Sequence, residues 1–274
     1  MLLSQIAANG QYDIPALIFD YAKGDIAANA TFAETIRATI VALPEQVIPL
    51  APLSIVTTDE HSTRLAAHRF RDTINAVVRL GPKQHSRCLQ VISEAYEMAM
   101  GGTPDLDDLV RIATRLYAEN DWPEDSLLAC LRDFSEFPLF RSSIEGTQHK
   151  FLQCSHVIDL HRLPEGLRKL TAFLVLDRLY AEIMTLPDAP LDAAGNRQLR
   201  LVIVIDEAHH YLPCRQPTLE KIVREVRSRG CPAFSWRLKS GARDHLTRPP
   251  AGAQIFLFLL FPEVLSVATG PSSP

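Results

Sequence analysis

The chain has 274 residues, of which 47% are hydrophobic and 22% are charged, so it can bury a sizeable core in one or two domains. Its 28 basic and 32 acidic residues give a formal net charge of -4, a balance that does not indicate a nucleic-acid-binding protein by composition. The sequence has no run of about 18 apolar residues, and no basic segment precedes its apolar N-terminus, so we expect a cytoplasmic protein without a membrane partner.

The cysteines are spread along the chain without a C-x-x-C pair, at Cys88, Cys130, Cys154, Cys214 and Cys231. This spacing favours neither a disulfide framework nor a zinc site. We therefore expect free, buried thiols.

The first predicted elements are a short helix and a buried strand. Residues 1–9 are predicted to be helical, with Gly10 at the helix end, and Pro15 to Phe19 in the apolar run "IPALIFDY" are predicted to be a strand. A polar turn, "DYAKGD", follows this strand and contains Asp20 and Lys23. The next segment, "LPEQVIPLAPLSI", has three prolines and is predicted to be a loop.

Residues 57–148 show only helical patterns. The segments "TRLAAHRFRDTINAVVRLG", "KQHSRCLQVISEAYEMAMGG", "PDLDDLVRIATRLYAEN" and "PEDSLLACLRDFSEF" have helical periodicity, with Gly or Pro at each joint. The pattern places Leu65 and Phe70 near one apolar face, and we expect Met98 and Met100 in the core. These residues are predicted to form a helical subdomain.

Strands and helices alternate in the last part of the chain. "HVIDLHRL" and "LVIVI" are predicted strands, and "PEGLRKLTAFLVLDRLYAEIMTL" and "PTLEKIVREVRSRG" are predicted helices, the last ending at Gly230. Such alternation is typical of a parallel sheet with crossover helices. The sequence therefore predicts an α/β fold into which the helical subdomain is inserted.

Two adjacent carboxylates, Asp206 and Glu207, follow the strand "LVIVI" directly. Ligands of parallel sheets bind outside the carboxyl ends of the strands. We expect Asp206 to hold a magnesium ion, often through water, and Glu207 to polarise the water that attacks a phosphate. The alternative is that Asp206 caps a turn and Glu207 is solvated.

Several segments together resemble the HerA/FtsK group of P-loop ATPases. "LVIVIDEAHHYLP" with "TLEKIVREVRSRG" resembles the Walker B strand and the next helix, and "IPALIFDYAKGDI" resembles the strand and turn that follow the P-loop helix. "VIPLAPLSI" and "VIDLHRLPEGLRKLTAFLVLDRLYAEI" are similar to later segments of the group, so the resemblance covers residues 1–231. With "RLGPKQHSRCLQVI", the likeness is closest to the DUF87-like ATPase region of phosphorothioation-dependent restriction proteins of the DptH (DndH) type.

This resemblance implies a RecA-like core with a mostly parallel sheet. It also implies a motor that uses ATP and Mg²⁺ to translocate DNA and that assembles as a homo-hexamer or with other subunits of a restriction system. Asp206 would be the magnesium residue, Glu207 the catalytic base, and Asp20 and Lys23 cofactor-binding residues. The candidates for an arginine that acts on a neighbouring subunit are Arg224, Arg227 and Arg229. Each arginine also fits a surface role, since Glu220 with Arg224 and Glu225 with Arg229 have i,i+4 spacing.

The sequence departs from the group in two places. The phosphate-binding pattern G-x-x-x-x-G-K-[ST] is absent from the 274 residues, so we expect the first strand and P-loop to be missing and ATP hydrolysis by this chain alone to be negligible. Lys23 is a poor replacement for the P-loop lysine because it follows a different strand. After Pro232 the group has a strand that ends in Ser-Gln or Thr-Gln, but this chain reads "AFSWRLKSGARDHLTRPP", which a change of reading frame would explain.

The expected organisation has four parts. Residues 1–56 and 149–232 form the two halves of the ATPase core, residues 57–148 form the helical insertion, and residues 233–274 form an atypical tail. If the tail is out of frame, the eight basic residues between Lys221 and Arg248 lose their meaning as a phosphate-binding patch.

Other functions have weaker support. The chain could be a non-enzymatic interaction protein that uses the helical insertion as a docking module. "DEAH" also occurs in superfamily-two helicases, but their P-loop and Ser-Ala-Thr motif are absent here. His209, His210 and Cys214 are too few for a structural zinc site, which needs about four ligands. An ordinary DNA-binding module lacks a recognition-helix pattern.

Overall fold

A computed structural model describes residues 14–56, 61–141, 151–188, 200–207 and 210–225, with only the backbone described at residues 212 and 223–225. The strands are β1 (Ala16–Asp20), β2 (Thr39–Ala42), β3 (His156–Asp159) and β4 (Val202–Ile205). The helices are α1 (Ala30–Thr35), α2 (Ser62–Val78), α3 (Pro82–Met98), α4 (Leu106–Glu119), α5 (Ser126–Glu136), α6 (Glu165–Thr185) and α7 (Pro217–Glu225), and a 3₁₀ turn spans Leu212–Cys214.

The strands form one parallel sheet in the order β2-β3-β1-β4. Every side chain of β1, β3 and β4 is buried, as expected for a parallel sheet that is covered on both faces. The registers pair Asp20 with Asp159 and Phe19 with Ile205. The carboxyl ends of β3, β1 and β4 therefore lie side by side at one edge.

The helical part between β2 and β3 follows the sequence prediction closely. α3 begins after Gly81 with Pro82 in its first turn, and α2 ends at Arg79 in the left-handed conformation. The side chains of Asp105 and Asp125 cap the N-termini of α4 and α5. Gly, Pro and Asp at the joints thus set where each helix begins and ends.

The core is mostly one apolar cluster. It joins the sheet to the helical part, with Phe19 of β1, Phe173 of α6, Ile74 of α2 and Leu109 of α4 among its members. A smaller cluster lies on the other face of the sheet, where Ile18, Val157 and Val204 pack against the segment around α1. The helices of residues 62–136 therefore share their core with the sheet, and the domain limits given above stay predictions.

Some sequence predictions were incomplete or wrong. α1 and β2 were not predicted, although "TIVA" has the β-branched residues of a strand. Leu65, Met98 and Met100 are exposed by 55%, 47% and 92%, because each lies on the outer side of its segment and not on the packed face. Cys154 is exposed, whereas Cys88 and Cys130 are buried. The predicted helix over residues 1–9 and the segment after Pro232 lie outside the described residues.

In the part of the chain that the structure describes, no helix combines the length and the apolar character that a bilayer crossing needs.

Candidate functional site at the carboxyl edge of the sheet

Each of the three adjacent strands β3, β1 and β4 leads into an aspartate at the same edge of the sheet. Asp159 and Asp20 are register partners, and Asp206 follows Ile205, the partner of Phe19. Burial is the largest cause that raises the pKa of Asp20 and of Asp206; the negative charge of Asp159 raises the pKa of Asp20 further, and that of Asp20 raises the pKa of Asp206 further. The edge is therefore a row of carboxylates that repel one another.

Asp20 holds the turn that follows β1. Its carboxylate accepts backbone N–H bonds from Gly24 at 3.2 Å, Ile26 at 2.9 Å and Ala27 at 2.9 Å, and the residue is fully buried. Burial raises the pKa of Asp20, and these N–H groups offset part of that effect. These contacts make Asp20 the organiser of the turn, and a direct contact with a cofactor stays a prediction.

Lys23 and Gly24 occupy the tip of this turn. Lys23 is exposed, and it lies close enough to Asp206 for its charge to offset part of the rise in the pKa of that carboxyl that burial causes. Gly24 has a φ of 71°, and a Cβ atom there would lie 2.7 Å from Nδ1 of His161. That imidazole is held by Asp159, with Nδ1 2.6 Å from Oδ1. The turn thus requires glycine at position 24.

Asp206 differs from Asp20 in its hydrogen bonding. Its Oδ1 is buried and has no hydrogen-bond partner, which is costly for a carboxylate oxygen. Burial and then the charge of Asp20 raise the pKa of Asp206, whereas the N–H of Glu207 and the charge of Lys23 lower it. An unsatisfied acidic oxygen at the end of a parallel strand can take a cation or a hydrogen-bond donor from a ligand.

Asp206 offers one carboxylate ligand of the kind that Mg²⁺ takes. Mg²⁺ keeps several waters and is commonly bound by one or two carboxylates plus phosphate oxygens. Within the described ranges, no group of three or more His, Cys, Asp or Glu residues is arranged to hold a metal ion. Among the described residues, Asp206 is therefore not part of a metal-binding cluster of protein side chains, and the possible cluster of His209, His210 and Cys214 includes one residue that lies outside them.

Glu207 lies beside Asp206 in a left-handed backbone conformation, with a φ of 49°. Its side chain is 25% exposed, and its Oε2 lies 3.5 Å from Nε2 of His210. The His210 ring stacks on Tyr21, with ring centroids 4.7 Å apart. Glu207 therefore reaches solvent at the edge of the sheet, as its predicted role as a base requires.

The predicted arginines cannot be placed in this site. Arg224 lies on α7, where only its backbone is described, and Arg227 and Arg229 lie outside the described residues, as does His209. Their roles stay predictions.

Arg168 of α6 joins the loops after β1 and β3. It donates to the backbone oxygens of Leu163 at 2.6 Å, His161 at 2.6 Å and Tyr21 at 3.3 Å. Its guanidinium also lies 5.4 Å from the centre of the Tyr21 ring. Arg168 thereby holds together the loops that follow Asp20 and Asp159.

Sequence reasoning missed several residues of this edge. Asp159 had a usable signal, because "IFD", "VID" and "VID" end the three strands in the same way. His161, Arg168 and Tyr21 had none, since their contacts join loops that are distant in sequence.

Comparison with known proteins supports the fold. VirB4 of Thermoanaerobacter pseudethanolicus superimposes with a TM-score of 0.55 and 15% sequence identity, over 81% of this chain and 83% of that chain. No family model matches the chain. A search of curated proteins also found no match. The likeness to VirB4 concerns the fold alone at this identity, and together with the parallel sheet and crossover helices it supports the predicted α/β, RecA-like fold.

Proposed function

We propose that this chain is part of a HerA/FtsK-like ATPase core, in which Asp206 holds the magnesium ion of a bound nucleotide and Glu207 orients the attacking water. The buried, unpaired Oδ1 of Asp206 at the carboxyl end of β4 is the observation that carries this proposal. The RecA-like fold supports it.

Each residue of the edge has a defined part in the proposed reaction. Mg²⁺ would neutralise charge on the phosphate oxygens. Asp206 supplies an anionic oxygen for that ion; burial, and then the negative charge of Asp20, raises the pKa of Asp206, and a bound cation would offset the repulsion from Asp20. Glu207, partly exposed beside it, accepts a hydrogen bond from the water that attacks the terminal phosphate. Asp20 and Arg168 hold the loops that frame the edge.

The finer function that we propose is that of a DNA translocase in a phosphorothioation-dependent restriction system. DNA and either identical subunits or other restriction subunits would then be partners, and one of Arg224, Arg227 and Arg229 would reach a neighbouring site. The sequence resemblance to the DptH type is the support for this part of the proposal.

The full chain alone should turn over almost no ATP. No G-x-x-x-x-G-K-[ST] pattern occurs in its 274 residues, so the backbone cradle and lysine for the phosphates are not supplied. Steady-state phosphate release measures this, and a turnover of about 1 s⁻¹ or more would contradict it. Fusion of a P-loop strand and helix to the N-terminus should raise nucleotide affinity at least about tenfold.

Paramagnetic NMR of the full chain with Mn²⁺ and ATP tests the role of Asp206. Amide signals of Gly24 and Asp206 should broaden, while those of α4 and α5 should not. Asp206→Asn should abolish the broadening, and the control Asp25→Asn, which neutralises an exposed acid of the same turn, should keep it. Equal broadening in Asp206→Asn and the unchanged chain would contradict the proposal.

The exposed apolar side chains of the helical part favour a second function. Leu65, Met98 and Met100 would suit a docking surface of a non-enzymatic interaction protein. Under this alternative, Asp206→Asn changes neither metal nor nucleotide binding, whereas charged residues at Leu65 and Met98 abolish binding to a purified restriction subunit.

A further inference from the structure

The backbone of Glu207 is held in an unfavourable conformation. A non-glycine residue in the left-handed region is strained and persists only where its surroundings impose that conformation. The N–H of His210 donates to the Glu207 carbonyl oxygen at 2.9 Å, which closes the turn. The side chain of the same histidine approaches the carboxylate, with 3.5 Å between Nε2 and Oε2.

The His210 ring is itself held from the other side. It lies nearly parallel to the Tyr21 ring, at an interplanar angle of 23°. Tyr21 is 1% exposed, its ring meets that of Tyr211 edge to face at 4.9 Å, and Arg168 binds both its ring and its carbonyl oxygen. The imidazole therefore rests on a rigid support that belongs to the loop after β1.

A second acid, Glu165, also lies near His210. The hydrogen bond from Lys169, then the charge of Lys169 and then that of His210 lower the pKa of Glu165, while its slight burial opposes them. Lys169 Nζ lies 2.5 Å from the Glu165 carboxylate, whereas Nε2 of His210 lies within ion-pair distance of Glu207. Because Glu165 already pairs with Lys169, the His210 imidazole can interact with Glu207.

We propose that His210 is a positioning residue for Glu207: the imidazole, supported by Tyr21, keeps the Glu207 carboxylate in one orientation next to Asp206. The functional meaning of this role rests on the proposed function, in which Glu207 is the base. A glutamate has three rotatable side-chain bonds, and a base acts efficiently only when its oxygen is oriented toward the proton that it takes. Residues from the loop after β1, from α6 and from the turn after β4 thus act together to hold one side chain.

Side-chain NMR relaxation on the full chain, without nucleotide, tests this role. The order parameter of the Glu207 methylene groups should be high in the unchanged chain and should fall in His210→Ala to the level of the exposed Glu119. His210→Gln keeps an N–H near the Nε2 position and should restore the restriction. His210→Leu fills a similar volume without this N–H and should not.

Two tyrosine variants test the support of the imidazole. The Tyr21 hydroxyl is buried without a hydrogen-bond partner, so Tyr21→Phe should leave Glu207 restricted. Tyr21→Leu removes the stacked ring and should free both His210 and Glu207; the amide spectrum of α4 and α5 shows whether this variant is still folded.

Several outcomes would overturn the proposal. Glu207 could be as mobile as Glu119 in the unchanged chain, or His210→Leu could restrict Glu207 as well as His210→Gln does. These results are independent of nucleotide binding. If Mn²⁺ and ATP do not bind at Asp206 but His210→Ala still frees Glu207, the proposed function fails while the positioning role stands.

Discussion

Asp20 and Asp206 show how two identical side chains at one sheet edge acquire different roles. The oxygens of Asp20 accept N–H groups from its own turn, whereas Oδ1 of Asp206 is buried without a partner. The first aspartate builds the loop, and the second is left with capacity to bind. Both have a raised pKa, with burial as the largest cause.

Asp206→Asn should stabilise the metal-free protein at neutral pH. The raised folded pKa means that the protonated carboxyl stabilises the native state below the unfolded pKa, and that this contribution is lost as the pH rises through the folded pKa. Asparagine removes the repulsion from Asp20, so the gain should be at most about 1 kcal/mol, since partial exposure screens the charges. Urea denaturation at several pH values measures the gain, which should vanish in acid.

The effect of Mg²⁺ with ATP on thermal stability is a second test of Asp206→Asn. Mg²⁺ with ATP should raise the Tm of the unchanged chain and leave that of Asp206→Asn where it was. An asparagine variant that is less stable at neutral pH would show that Asp206 has a structural role instead.

Gly24→Ala should be more destabilising than a positive φ alone explains. The added Cβ would lie 2.7 Å from Nδ1 of His161, which Asp159 holds in place, so we expect a loss of about 2 to 3 kcal/mol. Gly101 has a φ of 91°, and a Cβ atom added there would meet nothing within 4 Å, so Gly101→Ala should cost only about 1 kcal/mol. Chemical denaturation compares the two, and equal losses would contradict the steric argument.

At the scale of elements, a buried polar network joins α2, α6 and the start of α7. Asp177 accepts hydrogen bonds from Thr73 and from Gln216 Nε2, the latter at 2.9 Å, and Gln216 also accepts the N–H of Leu219. Gln216 is 2% exposed. The Asp177 carboxylate of α6 therefore connects α2 of the helical part with the start of α7.

Asp177→Asn should remove a pH dependence of stability. Burial raises the pKa of Asp177 to about 6, despite hydrogen bonds from Thr218, Thr73 and Gln216 and the charge of Arg69. The stabilisation is therefore complete below about pH 4 and is lost as the pH rises through about 6, by up to about 3 kcal/mol. Denaturation of both chains between about pH 4 and pH 8 measures the difference, which should grow with pH. A constant difference would refute the raised pKa.

Gln216→Ala tests the same network by removing a side-chain donor to Asp177. It leaves Asp177 with one donor fewer in a buried site and should destabilise the chain by about 2 kcal/mol. Hydrogen exchange should increase first in α7, whose amide at Leu219 loses its acceptor. Unchanged exchange in α7 would mean that the network does not hold this helix.

At the scale of the molecule, the helical part and the sheet share one apolar cluster. Within the helical part, Asp125 binds Arg87 at 2.9 Å and Tyr117 at 2.7 Å, and Arg87 lies 4.4 Å from the centre of the Trp122 ring. This group ties α3, α4 and α5 together. Loss of these contacts should therefore lower the stability of the whole protein.

Asp125→Ala should lower the stability of the sheet as well as that of the helices. Loss of a mostly buried partner of Arg87 costs about 2 to 4 kcal/mol. Burial opposes ionisation of Asp125, but hydrogen bonds from Tyr117, Leu128, Gln84 and Leu127 outweigh burial and lower its pKa. The ionised carboxylate therefore stabilises the folded chain above pH 3.8, and this contribution is lost as the pH falls through the folded pKa. Hydrogen exchange should show equal losses in β1 and α5, whereas exposed Asp133→Ala should change stability by less than about 0.5 kcal/mol. A loss confined to α5 would show that the helical part unfolds separately.

The sequence by itself determined the type of most elements and the position of Asp206 and Glu207. Apolar runs such as "LVIVI" and helix boundaries such as Gly81-Pro82 and Asp125 act through local backbone preferences, which a short window of sequence already contains. Short elements such as α1 and β2 were not predicted, because a few residues carry little periodic signal.

Only the tertiary structure decided which carboxylate is satisfied and which is left open, and which side chains surround Glu207. Register places Asp20 between Asp159 and Asp206, and the contacts of Arg168, Tyr21 and His210 join segments far apart in the chain. The physical reason is that hydrogen bonding, burial and charge repulsion depend on distances in space, whereas sequence patterns report only the preferences of neighbours along the backbone.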